Sequence, residues 1–308
     1  MASVRDLRAR IPMTARGQRL DRVVHALAAE VGFATSKVEV RRALAQGDVR
    51  VDGRVVAPGA RAVGGEQVDL RAFRPKSGWR LTPRPDLVAT NPKVAETASW
   101  VALAKAPGLP TLPLRDPDAP SLLQVAIAID PSIETAGPPG EGGAVHRLDN
   151  ETSGVVLFAR DSATRARLRR AFAHHEVEKA YEALVRDHGA DQLPPVHIRG
   201  EIQTTGGPRV RVRSAARGSA EPESRVELLD RGDGVARLCV RSRWGRRHQV
   251  RAHLAAAGWP ILGDRLYASP EDAAALERLA LHASELRLEG ALIEAPSGWE
   301  GRSGWPRL

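Results

Sequence analysis

His146-Arg147-Leu148-Asp149-Asn150-Glu151-Thr152-Ser153-Gly154 places an imidazole, a guanidinium, a carboxylate and two hydroxyls within nine residues and closes on a glycine. The apolar run Val155-Val156-Leu157-Phe158-Ala159 follows at once and reads as a short, largely buried strand. A carboxylate beside an arginine in a tight turn, pinned by a buried strand, can hold a charged catalytic group in fixed geometry. The plainer alternative is a polar turn in which Asp149 and Thr152 satisfy backbone donors.

The stretch closely resembles the H-R-L-D-x-x-T-S-G signature of the RluA-type pseudouridine synthases, which isomerise uridine within RNA. All seven fixed positions are present. The resemblance implies that Asp149 is the catalytic carboxylate and that Arg147 fills the space a flipped-out base vacates. It also implies a catalytic domain of the α+β class, with a mixed, mostly antiparallel sheet and a central cleft.

Composition agrees. With 308 residues, 42% hydrophobic, the chain can build one large core and one small one. A formal charge of +9 argues for an anionic partner. Residues 1–75 carry 14 Lys and Arg against 8 Asp and Glu, so most of the excess sits in the first quarter. The single cysteine, Cys239, excludes a disulfide framework and any multi-cysteine zinc site. No stretch reads as a membrane span or signal peptide, so a cytoplasmic monomer is expected. Gly137 to Gly143 is glycine-rich but has neither the G-x-G-x-x-G spacing nor the Lys-Ser/Thr of a P-loop. His146, Asp149, His248, His253 and His282 show no metal-ligand spacing, so no cofactor is expected.

Residues 1–14 read as an irregular basic tail. Leu20, Val23, Val24, Leu27 and Val31 recur at helical spacing, and Val38, Arg41, Arg42 and Leu44 suggest a second helix that stops at Gly47. Val49 to Val56 read as two short strands around Asp52-Gly53, and Val68-Asp69-Leu70 as a closing strand after Gly64-Gly65-Glu66. This order resembles the S-four-type RNA-binding domain over residues 15–72. As a surface it offers Arg19, Lys37, Arg41, Arg42 and Arg50 to phosphates, which bind without reading sequence. Ordinary solvated helix charges are the alternative. Residues 73–93 hold Pro75, Pro83, Pro85 and Pro92 and read as an extended linker. The larger domain is expected over 94–308.

Within it, Val94 to Ala104 reads as a pair of strands leading to Lys105-Ala106-Pro107-Gly108. Asp161 or Ser162 can cap a helix through Ala173. Strand alternation from Val177 to Val185 puts Lys179 and Tyr181 on one face. The pair resembles the synthases' second motif, which implies that Tyr181 packs against the target base and that Lys179 faces RNA. Trp244-Gly245-Arg246-Arg247-His248-Gln249-Val250-Arg251-Ala252-His253 follows a strand and opens a helix ended by Gly258. Arginines at a helix N-terminus are unfavourable unless an anion sits there. The cluster resembles the T-G-R-x-H-Q-[IV]-R-x-H motif, with Trp244 in place of threonine. It implies that Arg246 pairs with Asp149, with Arg247 and Arg251 left to RNA. Gly263 to Tyr267 and Leu281-His282-Ala283 complete the resemblance in order.

The expected function is thus an RNA pseudouridine synthase, with large-subunit ribosomal RNA favoured over transfer RNA. A non-catalytic RNA-binding protein is the rival reading.

Overall fold

The computed structural model describes residues 8–30, 35–73, 79–114, 116–189, 191–205, 207–213, 221–302, 305 and 308. The chain divides into two units: Met1–Leu81 with Pro138–Gly140, and Thr82–Gly137 with Glu141–Leu308. Val31 and Pro75, read above as helix and linker residues, lie outside the described residues, as do residues 1–7.

The smaller unit runs β1 (Arg8–Arg10), α1 (Leu20–Glu30), α2 (Lys37–Gln46), β2 (Arg50–Val51) and β3 (Gln67–Asp69). Its antiparallel sheet has the order β1-β3-β2. Leu20, Val23, Val24 and Leu27 of α1 pack with Val40, Ala43 and Leu44 of α2 over Val51 and Val68. The helical spacing of those residues is the reason both helices form. A capping box between Ser36 and Glu39 starts α2, and Gly47 in the left-handed region (φ 78°) ends it.

Two expectations need correction here. Part of the basic tail is a strand: β1 pairs Ala9 with Val68, turns its arginines outward, and is anchored by buried Ile11. The hairpin around Asp52-Gly53 is a tight two-residue turn, with Val51 and Arg54 exchanging bonds of 3.0 and 2.9 Å. Its outgoing arm does not continue, because the chain runs on to Pro58, which has no ladder donor. β2 pairs with β3 instead.

The larger unit contains β4 (Lys93–Glu96), β5 (Trp100–Lys105), α3 (Leu122–Ile129), α4 (Ser132–Thr135), β6 (Ser153–Ala159), α5 (Ser162–Ala173), β7 (Glu178–Arg186), β8 (His197–Arg199), β9 (Glu201–Thr204), β10 (Val210–Arg213), β11 (Glu223–Gly232), β12 (Val235–Ser242), α6 (Gln249–Ala256), α7 (Pro270–Ala274), β13 (Leu281–Leu288) and β14 (Ala291–Glu294). Among the described residues a nine-stranded sheet has the order β4-β5-β6-β13-β7-β12-β11-β8, with β14 added on β13. β9 and β10 form a separate two-stranded ribbon.

Every pairing in the large sheet is antiparallel except β6 with β13. One face packs Val250 and Leu254 of α6 against Leu184, Leu238 and Leu281, and another core gathers Leu168 and Ala171 of α5 with Val155, Leu157 and Leu286. Asp161 caps α5 by accepting from the Thr164 N–H at 2.8 Å, as its position suggests. No helix among the described residues is long and apolar enough to cross a membrane.

The expected linker is shorter than 73–93. From Thr82 the chain belongs to the larger unit: the Arg84 N–H donates to the Gln124 carbonyl at 3.1 Å. Buried Asn91 accepts from the Ala106 N–H at 2.7 Å. A side-chain amide bonded to backbone hides behind proline-rich composition, which is why the segment reads as extended.

The parallel junction explains the glycine that closes the opening signature. Gly154 sits beside Ala283 with φ 116°, and a Cβ there would lie 2.2 Å from the Ala283 carbonyl oxygen. One residue earlier, the Ser153 hydroxyl donates to His282 Nδ1 at 2.9 Å while His282 Nε2 donates to the Ala295 carbonyl at 2.8 Å. Those bonds use both ring nitrogens of His282 and tie β6 to β13.

Candidate active site

Asp149 lies in the loop just before β6, and its backbone is fixed from below. The Thr111 hydroxyl donates to the Leu148 carbonyl and accepts the Leu148 N–H, both at 3.2 Å. Lys105, 2% exposed, donates its ammonium protons to the carbonyls of Asn150 (2.7 Å), Leu109 (2.7 Å) and Ala106 (3.0 Å). Three N–H groups meet three acceptors, so burying this charge is compensated. Burial pushes the Lys105 pKa down to about 8. Neither Thr111 nor Lys105 carries a sequence signal for its role. A lysine at a strand end gives no signal that its partners are carbonyls 4 and 45 residues away.

A second buried lysine does the same for the opposite loop. Lys179 Nζ donates to the Trp244 carbonyl at 2.6 Å and lies close under Gly245. Burial lowers its pKa to about 8 as well. Alternation correctly put Lys179 and Tyr181 on one face, but Lys179 is buried and its donors are directed at backbone, so the expected RNA contact is replaced by a structural one.

Between these loops is a cavity open to solvent, walled by Arg147, Asp149, Tyr181, Arg246, His248 and Arg251 among others. Arg147 is exposed beside it. Tyr181 enters from β7, opposite Val240. Burial, and then the nearby Asp149 charge, push its phenol pKa up, so it stays protonated.

The cation facing Asp149 is not the expected one. Arg251 Nη1 is 3.6 Å and His248 Nε2 3.8 Å from Asp149 Oδ2. Arg246 lies instead with its guanidinium 5.7 Å from the Trp244 ring centroid, and Arg246 and Asp149 form no ion pair among the described residues. The reason is the backbone turn at His248, which is left-handed (φ 54°) and caps α6. Arg246 and Arg247 precede that turn, whereas Arg251 stands in the first turn of the helix and points back.

Arg251 is also held from behind. Its Nε and Nη2 donate to Asp264 Oδ2 and Oδ1 at 2.8 and 2.7 Å, and Asp264 Oδ1 accepts the Leu266 N–H at 2.9 Å. Burial alone would lower the Arg251 pKa, but Asp264 and then Asp149 outweigh it and the net shift is upward. Arg251, expected on RNA, is therefore buried between two carboxylates. Arg247 is exposed and donates to the Pro208 carbonyl at 3.0 Å.

The remaining histidines are structural. His146 Nε2 accepts the Leu157 N–H at 3.1 Å, and its ring stacks on Phe172 at 4.6 Å. Burial drives its pKa down to about 3, so it stays neutral. His253 bonds Ser224 and the Gly200 carbonyl. Among the described residues no three His, Cys, Asp or Glu side chains converge as a metal site.

In the smaller unit Arg19 and Arg41 lie 2.9 and 3.4 Å from buried Asp21, whose pKa is lowered chiefly by the Arg19 bonds. Arg50 donates to the Gly53 carbonyl at 3.3 Å. Lys37 and Arg42 are exposed and form no ion pair among the described residues.

Comparison with known proteins agrees with this arrangement. The RNA pseudouridylate synthase family model matches residues 136–256, and the S4 domain model matches 18–68. The dual-specificity RNA pseudouridine synthase RluA of Yersinia pestis is 35% identical over 183 residues, 59% of this chain and 84% of the relative. The Escherichia coli (strain K12) protein of the same name is 38% identical over 145 residues, 47% of this chain and 66% of the relative. The fold is similar to human RNA Pseudouridylate Synthase Domain Containing 1, with TM-score 0.55 and 23% identity over 68% of this chain and 84% of that one. The α+β sheet, the cavity at its centre and these matches together place the chain in the RNA pseudouridylate synthase family, isomerases that convert uridine to pseudouridine in RNA, with an S4 domain at its N-terminal end.

Proposed function

We propose that this isomerase acts on a specific uridine in structured RNA with Asp149 as the catalytic carboxylate. Large-subunit ribosomal RNA is the first substrate class and transfer RNA the second. The observation that carries the reading is the pairing of a partly open carboxylate with a clamped guanidinium: Asp149 is 25% exposed to the cavity while Arg251 is 7% exposed behind it.

The reaction breaks the bond between ribose C1′ and N1, turns the uracil, joins C5 to C1′, and moves the C5 proton to nitrogen. No electrons or groups are exchanged with a partner, so the reaction needs no co-substrate. A carboxylate serves as nucleophile or as shield for the developing oxocarbenium ion, and in either role it must be ionised. Arg251 sets a positive charge 3.6 Å from it, and the clamp on Asp264 prevents that charge from swinging away. Tyr181, neutral, offers the everted base an aromatic face. Extracting that base costs a few kcal/mol, offset by stacking, by phosphate contacts outside the cavity and by exposed Arg147 filling the space the base vacates. The S4 domain match supports ribosomal RNA as the first substrate to try.

The test is Asp149→Asn expressed in cells lacking the native copy, followed by carbodiimide mapping of pseudouridine. Loss of a modification that the unaltered chain restores is the expected result. If the unaltered chain modifies no position in ribosomal or transfer RNA, the non-catalytic RNA-binding reading replaces this one.

A further inference from the structure

Tyr267 contributes to the cavity's chemistry without lining it. Its hydroxyl oxygen accepts the Val210 N–H at 2.8 Å, and it stands 3.0 Å from His248 Nδ1. The far nitrogen of that imidazole, Nε2, faces Asp149 Oδ2 at 3.8 Å. The ring of Tyr267 meets His248 edge-on, and the Arg251 guanidinium lies 5.3 Å above its centroid. Four groups thus form one line from the backbone of β10 to the carboxylate.

The direction of that line is set by elementary hydrogen bonding. Because Val210 can only donate, the Tyr267 oxygen is an acceptor there and keeps its own proton to give. A neutral imidazole carries one N–H, and a bare Nε2 lone pair facing a carboxylate would be repelled. The arrangement that satisfies both ends has the Tyr267 O–H donating to Nδ1 and the proton on Nε2. His248 is neutral here, since burial lowers its pKa more than Asp149 raises it. We infer that Tyr267 is a positioning residue that locks His248 in the Nε2–H tautomer, so that His248, beside Arg251, turns an N–H and not a lone pair towards Asp149. The inference rests on the reading of Asp149 as the catalytic carboxylate.

The charged and titratable groups around this line are few. Asp149 is faced by Arg251, His248 and Tyr181, with Lys105 nearby. His248 is faced by Asp149, Arg251, Arg247, Asp264 and Tyr267. None of the others can fix the tautomer, because only Tyr267 bonds Nδ1 among the described residues. The line also starts on a ribbon that carries Arg209, Arg211 and Arg213 exposed, so the seating of that ribbon is relayed to the carboxylate.

Tyr267→Phe removes the hydroxyl and keeps the ring under Arg251. With the full-length enzyme and a transcript containing the mapped uridine, kcat should fall about tenfold, the size of one lost hydrogen bond, with KM within about twofold. Nitrogen NMR, with the His248 signals assigned by their loss in His248→Asn, should show Nε2 protonated and Nδ1 bare in the unaltered enzyme. Tyr267→Phe should shift both toward a tautomeric mixture. In a His248→Asn background, Tyr267→Phe should have no further effect on kcat.

An Nδ1–H tautomer in the unaltered enzyme, unmoved nitrogen shifts in Tyr267→Phe, or additive effects in the double variant would each overturn the relay. The nitrogen signals do not depend on turnover. A failure of the Asp149 assignment would show separately, as an active Asp149→Asn enzyme.

Discussion

At the scale of single residues, Arg251 carries two obligations at once. It faces Asp149 and it neutralises Asp264, which has no exposure of its own. Arg251→Ala should therefore abolish turnover and also cost roughly 3–5 kcal/mol of stability, the penalty for a buried charge left unpaired. Arg246→Ala, on the exposed side of the turn, should stay within about 0.5 kcal/mol of the unaltered chain in denaturant melts. If the two variants lose activity and stability alike, the assignment to Arg251 fails. The resemblance implies that an arginine of this cluster meets the carboxylate, and the motif alone points to Arg246. Sequence alone cannot show which, because the choice depends on the left-handed His248 that turns the chain between the candidates. Lys105 and Lys179 were harder still to read. Both have folded pKa values of about 8 against an ordinary 10.5, so between these pH values the unfolded chain holds more protons than the folded one. Their contribution to stability accordingly rises with pH through that window. Catalysis should move the other way, because an amine with two N–H groups cannot satisfy the three carbonyls around Lys105. A kcat profile that falls above about pH 8 with no matching loss of thermal stability is expected, and Lys105→Met should remove part of that limb. A profile flat to pH 9.5 would mean the lysines hold the loops in either state.

At the scale of elements, local pattern was enough for those that bury one face or carry a cap. α1, α2, α5, β6, β7 and β12 all stand where periodicity and capping residues put them. Pairings between distant segments were not legible. β6 meets β13 across 129 residues, and nothing around Ser153 names His282 as its partner. α3 was missed because Leu122 to Ile129 is apolar on nearly every side and so shows no stripe. The parallel junction makes a firm prediction. Gly154→Ala places a methyl 2.2 Å from the Ala283 carbonyl oxygen at a positive φ, and backbone cannot yield cheaply on either strand. A loss of more than about 3 kcal/mol in chemical denaturation is expected, in the range of severe core substitutions. Gly258→Ala is the control, since its Cβ would meet nothing within 4 Å although its φ is also positive. Equal losses at the two sites would show that conformation alone, and not the strand contact, demands the glycine in the signature.

At the scale of the whole chain, charge and chemistry are carried by different units, and the exposed cations of the smaller one are not equivalent. Arg19 and Arg41 already face Asp21, and leaving for a phosphate would strip that buried carboxylate of its partners. Lys37 and Arg42 have no such tie among the described residues. If the S4 domain contacts RNA through phosphates, each free cation it contributes releases condensed counterions and adds to the slope of log affinity against log salt. Lys37→Ala and Arg42→Ala should each flatten that slope by about 0.7 to 0.9 and raise KM at moderate salt. The kcat at saturating RNA should not change, since neither side chain is part of the cavity wall around Asp149. Arg41→Ala should flatten the slope less, because part of its charge is already balanced in the free protein. Titrations of a fluorescent transcript from low to moderate salt measure all three slopes directly. Identical slopes for the three variants and the unaltered enzyme would mean that this helical face does not lie on RNA, and that the positive charge of the first quarter serves something other than substrate binding.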